Sequence, residues 1–312
     1  MRLAKFDGGR IGVVVADDAR AEDGIVDVSD LAPVPVDTWP PVADIALIAR
    51  FAAIRPALED ATAQRSAQPL SEIRLEAPVT WPNKLLAYPA NYHAHIAEMS
   101  SQNRADKNGF FLKAASSISG PNDPIVIPEI EGREVHHECE LAVIVGKGGR
   151  HVARAEALDH IFGYACLVDM TVRGQEERVM RKSFDTFCPL GPWIVTADEI
   201  DDPDQLDLRL TVNGEVRQAA NTRDLIVDVR EMIVMASSVT TLYPGDVIAT
   251  GTPEGVGPLT PGDTVVITIE GVGSMTLPVV QGHGGSNIAF EHHNALRAAG
   301  EEDRWKSGTA TA

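Results

Sequence analysis

The chain has 312 residues, 44% of them hydrophobic and 5% aromatic, with 45 acidic against 27 basic side chains and a formal net charge of -18. That length carries one large domain plus a small one, and that charge argues against nucleic acid or an anionic membrane as partner, since both need a basic footprint. Three cysteines (Cys139, Cys166 and Cys188) with no CxxC exclude a disulfide framework and a thiolate zinc site, and fit a reducing, cytoplasmic setting.

The N-terminus lacks the apolar stretch of a signal peptide, and no apolar run reaches the ~18 residues of a membrane span. Arg2 to Phe6 and Arg10 to Ala16 read as a hairpin turning through Asp7-Gly8-Gly9. After a proline-rich connector, Pro33 to Pro41, the spacing of Ile45, Leu47, Ile48, Phe51, Ile54 and Leu58 predicts a helix over Asp44 to Ala61. Composition shifts at Leu75 to Pro78, so residues 1–78 are expected to form a small N-terminal α/β domain. From Trp81 onward strand-like runs dominate: Lys84 to Ala87, Gly109 to Lys113, Pro124 to Ile127, Glu134 to Val145, Ile161 to Met170, Trp193 to Thr196, Leu206 to Val212, Asp246 to Thr250, Asp263 to Ile269 and Ser274 to Val280. Two Pro-Gly-Asp units, at Pro244 and Pro261, each introduce one of these runs. Helices are few: Ala153 to His160, Glu176 to Lys182 and Val227 to Ser238, and then Ala289 to Ala299 before a polar end, Lys306 to Ala312, expected to fray. This is an α+β, β-dominated pattern rather than a βαβ alternation. It has a main domain over 79–285 and a C-terminal helical tail over 286–312.

Glu138-Cys139-Glu140 opens the most apolar of these strands. Residues two apart share a face of a strand, so both carboxylates point the same way, while Cys139 points away as a small core residue. Two such charges at ~4 Å repel by roughly 4 kcal/mol at an effective dielectric near 20, a cost that a bound cation, or a proton held at a raised pKa, would offset. Asp169, ending the apolar strand Gly163 to Val168, makes a third carboxylate. An all-oxygen set favours a hard ion, Mg²⁺ first, with Mn²⁺ or Ca²⁺ as alternatives. His136 shares the face of the glutamates and leaves open a mixed zinc or iron site. The competing reading puts both glutamates on a solvent face.

Asn91 to Glu98 reads as the start of a short helix, on which His95 and Glu98 share a face. A carboxylate that orients an imidazole makes a general base for activating water; a surface His/Glu pair is the plain alternative, and His93 points elsewhere. In Gly251-Thr252-Pro253-Glu254-Gly255-Val256-Gly257 a turn offers backbone N–H groups and the Thr252 hydroxyl to a substrate carboxylate, or is a tight turn with no ligand. Lys182 can stabilise a developing anion. Arg173 can support the carboxylates or bind a substrate acid.

In order and spacing these segments resemble the fumarylacetoacetate hydrolase family. The resemblance runs from Lys84 to Tyr92 with His95 and Glu98, through Phe111-Leu112-Lys113, His137 to Leu141, Asp169 to Arg173, Lys182-Ser183-Phe184 and Gly191-Pro192-Trp193, to Asn221-Thr222, Pro244-Gly245-Asp246 and Ala249 to Gly257. It implies a mixed β-sandwich or β-roll fold and a homodimer. It implies a metal on Glu138, Glu140 and Asp169, a His95/Glu98 pair on a lid that orders with substrate, and substrate contacts from Lys182 and Thr252. Gly251, Arg173, Gln175 and Tyr92 join Thr252 as candidates for binding substrate. Family members often carry a glutamine after the Asp-x-x-x-Arg segment, a place that Gln175 or Glu176 fills here.

The activity so implied is hydrolysis of a carbon–carbon bond in an acylpyruvate-like 1,3-diketo acid through a metal-bound enolate, in the setting of aromatic-compound breakdown. The alternatives are decarboxylation of oxaloacetate or isomerisation or dehydration of a hydroxy acid at the same site, and a non-catalytic metal- or ligand-binding member.

Overall fold

Strand Cys139–Val145 is buried along its whole length, on both faces. Its odd residues (Cys139, Leu141, Val143 and Val145) enter one core, together with Leu208, Leu210, Val265, Ile267 and Leu277. Its even residues Ala142 and Ile144 enter a second core, with Leu47, Ile48 and Leu58. A strand covered on both sides needs apolar residues at every position, so this segment reads as a continuous apolar run rather than an alternation. Ile161–Val168 is built the same way: Tyr164, Cys166 and Val168 face the first core, and Phe162, Ala165 and Leu167 the second.

The computed structural model describes residues 1–17, 22–37, 39–99 and 104–298. The two strands just described pair antiparallel at the centre of a 12-stranded sheet. On one side follow Val247–Ala249, Leu85–Ala87 and Phe111–Lys113; on the other follow Cys188–Thr196 and then Arg2–Phe6, Arg10–Asp17 and Glu22–Asp27. The predicted hairpin is present, with Arg2 opposite Val14 and Phe6 opposite Arg10. It joins the central sheet through Arg2 opposite Val195 and Leu3 opposite Ile194. The predicted N-terminal helix spans Ala43–Gln64 and supplies Leu47, Ile48 and Leu58 to the second core.

Against the other face lies a five-stranded sheet in the order Glu215–Asn221, Asp207–Val212, Thr264–Ile269, Gly273–Gly285 and Ile125–Glu129. A three-stranded sheet (Thr171–Val172, Val135–His137, Gly257–Leu259) sits at the end of the central strands. The helices Arg178–Lys182, Val229–Val239 and Ile288–Ala298 fall where the pattern placed them, and 154–160 is a 3₁₀ helix. The polar end 306–312, expected to fray, lies outside the described residues.

Two departures from the expected strands bear on the site. The run Glu134 to Val145 is not one strand: Val135–His137 belongs to the small sheet and Cys139–Val145 to the central one, with the chain changing sheets at Glu138. Strand Glu215–Asn221 was not anticipated at all. The fold is β-dominated α+β with packed sheets, as expected.

Candidate active site

Where the chain changes sheets, Glu138 leaves the ladder, and its carbonyl accepts the Asp169 N–H at 2.9 Å. Glu138, Glu140 and Asp169 thus gather at the ends of two neighbouring central strands. All three are buried, with one carboxylate oxygen from each lying within 4.8 Å of the others. Among the described residues no histidine or cysteine joins this group. His136, the basis for a mixed zinc or iron site, instead pairs through Nε2 with Glu134 at 3.0 Å. Cys139 sits in the core, its thiol pushed well up by burial and by Cys166 and Glu140, and is no nucleophile.

Two lysines face the carboxylates. Lys182 Nζ donates to Glu138 Oε2 and to Asp169 Oδ2, both at 2.8 Å. Lys113 Nζ donates to Asp169 Oδ1 and to the Phe187 carbonyl, the latter at 2.9 Å. Two ammonium groups balance two of the three carboxylates, and the third shows the deficit. Burial raises the Glu138 carboxyl, but Lys182, Arg173 and His95 outweigh it and bring it to about 2. Glu140 goes the other way: burial, then Asp169 and Glu138, push it well above 4.5, against Lys182 and the Gly251 amide. Like charges crowded into one site are driven apart in this manner. A buried carboxyl that must hold a proton unless a cation arrives, in an all-oxygen set, fits a hard divalent ion.

The glycine-rich turn has a different role from the one expected. Gly251 N–H donates to Glu140 Oε2 at 2.7 Å, and Gly255 N–H donates to Glu98 Oε1 at 3.0 Å. Both glycines have positive φ, and a Cβ would come within 2.6 Å of the Tyr88 carbonyl at Gly251 and 1.9 Å of the Arg217 carbonyl at Gly255. These amides therefore fix the protein's own carboxylates rather than a substrate's, which corrects the reading of Gly251 as a substrate contact. The other carboxylate oxygen of Glu98 meets His95 Nδ1 at 3.0 Å. With that nitrogen donating to a carboxylate, Nε2 is left as the acceptor. The pair stands assembled on helix His93–Met99, with His93 exposed.

A cavity of about 650 Å³ joins these groups. Glu138, Glu140 and Asp169 lie on it together with His95, Lys182 and Thr252. Arg173, Arg178 and Arg181 bring basic groups to its lining beside Gln175, and Tyr88, Pro89, Phe111 and Met99 bring apolar ones. Of the two candidates for the glutamine position, Gln175 lines the cavity, whereas Glu176 accepts from Arg133 Nη2 at 2.6 Å. Arg173 does not brace the carboxylates closely: its Nη2 stands 3.8 Å from Glu138 Oε1. Tyr92, a candidate substrate contact, is absent from the lining and only 2% exposed; its hydroxyl is buried without a hydrogen-bond partner.

Two residues of the site went unread in the sequence: Lys113, and Gln218 on the unanticipated strand. Gln218 Oε1 accepts the His137 Nδ1–H at 3.0 Å and the Cys139 N–H at 2.9 Å, and its Nε2 donates to Thr252 Oγ1 at 2.8 Å and to the Pro253 carbonyl at 2.9 Å. Burial holds His137 down to about 4, so its ring is neutral. Because Thr252 Oγ1 already accepts from Gln218, its own proton is directed to another acceptor. Gln218→Leu is expected to cost about 2 kcal/mol, by stranding these buried partners. It should also raise KM roughly tenfold with a smaller change in kcat, as read by thermal melts and steady-state kinetics.

Sheets that meet over an acidic cluster, with an oriented imidazole across the same cleft, define an enzyme with an acidic metal site. The chain belongs to the fumarylacetoacetate hydrolase family: the model of the fumarylacetoacetate (FAA) hydrolase C-terminal region matches residues 84–280. It is 41% identical over 291 residues to the maleylpyruvate hydrolase of Aquipseudomonas alcaligenes, covering 89% of this chain and 99% of that protein. The crystal structure of maleylpyruvate hydrolase from Sphingobium sp. SYK-6, in complex with manganese(II) ion and pyruvate, is 53% identical with a TM-score of 0.82, covering 90% of this chain and all of that one. The 5-carboxymethyl-2-hydroxymuconate delta-isomerase of Mycobacterium smegmatis is 35% identical with a TM-score of 0.69, covering 90% of this chain and 99% of that one.

Proposed function

We infer that the enzyme hydrolyses a carbon–carbon bond in an acylpyruvate-like 1,3-diketo acid. The observation that carries this reading is that His95, oriented by Glu98, and the three-carboxylate cluster open onto one cavity. Glu138, Glu140 and Asp169 would hold the ion, Mg²⁺ by the hardness of its ligands or Mn²⁺ as in the Sphingobium relative. Bound there, it would supply Lewis-acid stabilisation of the negative charge that develops at the 2-oxo acid end.

The remaining work falls to the chain itself. His95 Nε2 takes a proton from water, and the water oxygen adds to the distal acyl carbon. As that adduct collapses, the carbon–carbon pair leaves with the pyruvate methylene carbon, which then takes up a proton. One water is consumed, giving pyruvate and a carboxylic acid. Lys182, within 2.8 Å of two carboxylates and on the cavity wall, supplies positive charge toward the departing group. The Thr252 hydroxyl donates to the substrate carboxylate.

The rival readings are isomerisation of a hydroxy-dioate, which the isomerase relative supports, and decarboxylation of oxaloacetate; both need the acidic cluster but no base for water. Product analysis separates the two. Incubation with acylpyruvates and, in parallel, with oxaloacetate, each with Mg²⁺, Mn²⁺ or EDTA, should give pyruvate plus a carboxylic acid only from acylpyruvate with metal. Acylpyruvate left intact beside turnover of the other acids would overturn the hydrolytic reading. At a hundredfold excess of metal over its Kd, binding adds about 2.7 kcal/mol, so the melting temperature should rise by several degrees and fall back with EDTA. Three buried free cysteines fit a reducing cytoplasm, and the family resemblance supports a homodimer, which light scattering reads directly.

A further inference from the structure

The helix Ile288–Ala298 lies past residue 280, where the family match ends. Phe290, His293, Asn294 and Arg297 share one of its faces, at the spacing i, i+3, i+4 and i+7. Phe290 is fully buried, while Ile288, Glu291 and His292 are exposed. Its polar contacts converge on the turn Glu131-Gly132-Arg133. Arg133 Nε donates to Asn294 Oδ1 at 2.6 Å, and Asn294 Nδ2 donates to the Glu131 carbonyl at 2.8 Å. Arg297 Nη1 donates to the Gly132 carbonyl at 3.3 Å.

The other edge of the Arg133 guanidinium faces the active site. Nη2 donates to Glu176 Oε1 at 2.6 Å, and Nη1 to the Arg173 carbonyl at 2.8 Å. Both side chains of the ion pair are 1% exposed. A planar guanidinium with five donors in fixed directions holds all three partners at once, so moving one moves the others. Gly174 makes room for the pair: a Cβ there would come within 2.0 Å of Arg133 Nη1 and 2.2 Å of Glu176 Oε2.

Two routes carry this anchorage to the acidic cluster. The Glu176 carbonyl accepts the Arg181 Nε–H at 2.8 Å, and the next residue is Lys182, which bonds Glu138 and Asp169. Phe290 meets Phe184 with centroids 6.0 Å apart, and Phe184 meets Phe187 at 5.1 Å; the Phe187 carbonyl accepts from Lys113. Arg133, Glu176, Phe290 and Asn294 are all absent from the cavity lining and reach it only through the segment 173–187.

We propose that Asn294 and Phe290 are positioning residues for Lys182: the C-terminal helix orients Arg133, and through the buried Arg133–Glu176 pair it holds the segment 173–182 where Lys182 meets the acidic cluster. The role of Lys182 itself rests on the reading of the site given above.

The test pairs amide hydrogen exchange with kinetics on the full-length, Mg²⁺-loaded enzyme. In Asn294→Leu, which removes the acceptor of Arg133 Nε, residues 173–184 should exchange several times faster, while the central strands 139–145 and 161–168 keep the native rate. Its kcat should fall roughly tenfold, as small misplacements of a reacting group do. Asn294→Asp retains an acceptor for Arg133 and should restore both. Phe290→Leu, acting through Phe184, should change exchange and kcat in the same direction as Asn294→Leu. Native exchange over 173–184 in Asn294→Leu, or faster exchange with native kcat, overturns the proposal. So does exchange that rises equally in the central strands, or an Asn294→Asp enzyme as slow as Asn294→Leu. Failure of the hydrolytic reading looks different: the native enzyme leaves acylpyruvate intact, and the same kcat comparison is made on the oxo acid that product analysis finds turned over.

Discussion

Glu140→Gln should lower kcat roughly 10³-fold, since several kcal/mol of Lewis-acid stabilisation would be lost, and yet should make the metal-free protein more stable at pH 8. The two effects share one cause. Glu140 is hydrogen-bonded to the Gly251 amide rather than to a lysine, and burial beside Asp169 and Glu138 raises its carboxyl well above 4.5 despite the nearby Lys182. The folded, metal-free protein therefore binds a proton that the unfolded chain has released. Its contribution to stability is complete below pH 4.5 and is lost as pH rises toward the elevated folded value, at about 1.4 kcal/mol per pH unit for one proton. Glu138 behaves oppositely: held at about 2, it stabilises the fold above pH 4.5 and loses that contribution as pH falls toward 2. Above pH 5 only the Glu140 slope remains of the two.

A divalent ion removes that slope by replacing the proton. The increase in melting temperature on adding Mg²⁺ or Mn²⁺ should therefore grow between pH 5 and pH 8 in the native protein. In Glu140→Gln the metal-free melting temperature should lose this decline with pH, and the metal-induced increase should be small throughout. Melts at three pH values, with EDTA and with Mn²⁺, are sufficient. A variant that kept both the native pH slope and the native response to metal would mean that Glu140 is neither the proton holder nor a ligand.

The acidic cluster was legible because it rests on two local rules, period-two alternation around Glu138-Cys139-Glu140 and a carboxylate ending an apolar strand at Asp169. The sheet change at Glu138 was not, since a transfer between sheets depends on partners distant in sequence: Val135–His137 pairs with Thr171–Val172, and Cys139–Val145 with Ile161–Val168. Strand Glu215–Asn221 was hidden for another reason. It is an edge strand, and its one fully buried side chain is Gln218, so it has no apolar periodicity to detect. Gln218 itself was lost with it. Lys113 ends the strand Phe111–Lys113 and reads locally as a solvated lysine; only the fold places it on Asp169. In the turn Gly251 to Gly257 the exposed amides were anticipated, but not that the protein's own Glu140 and Glu98 accept them. Tyr92, though within the matched stretch, lies under the site rather than in it.

His95→Gln is the substitution that separates hydrolysis from the other reactions open to this site. The imidazole is fixed from behind: Gly255 N–H holds Glu98 Oε1, and Glu98 Oε2 holds His95 Nδ1, each at 3.0 Å. Nε2 is thereby presented to the cavity as an acceptor, the state needed to take a proton from water. Loss of a positioned general base costs typically 10² to 10⁴ in rate, so kcat for acylpyruvate cleavage should fall by roughly 10³ while KM changes little, because His95 is not among the three clustered carboxylates and its assigned role is in the reaction of water rather than in binding. Glu98→Gln should fall less, since the imidazole remains but loses the partner that fixes its tautomer. Metal binding should survive in both variants, as read by the same melting shift. If His95→Gln cleaved acylpyruvate at the native rate, water would have to be activated elsewhere on the cavity wall. If it lost tautomerisation or decarboxylation in the same proportion as hydrolysis, His95 would be a proton shuttle common to all three reactions rather than the base for water.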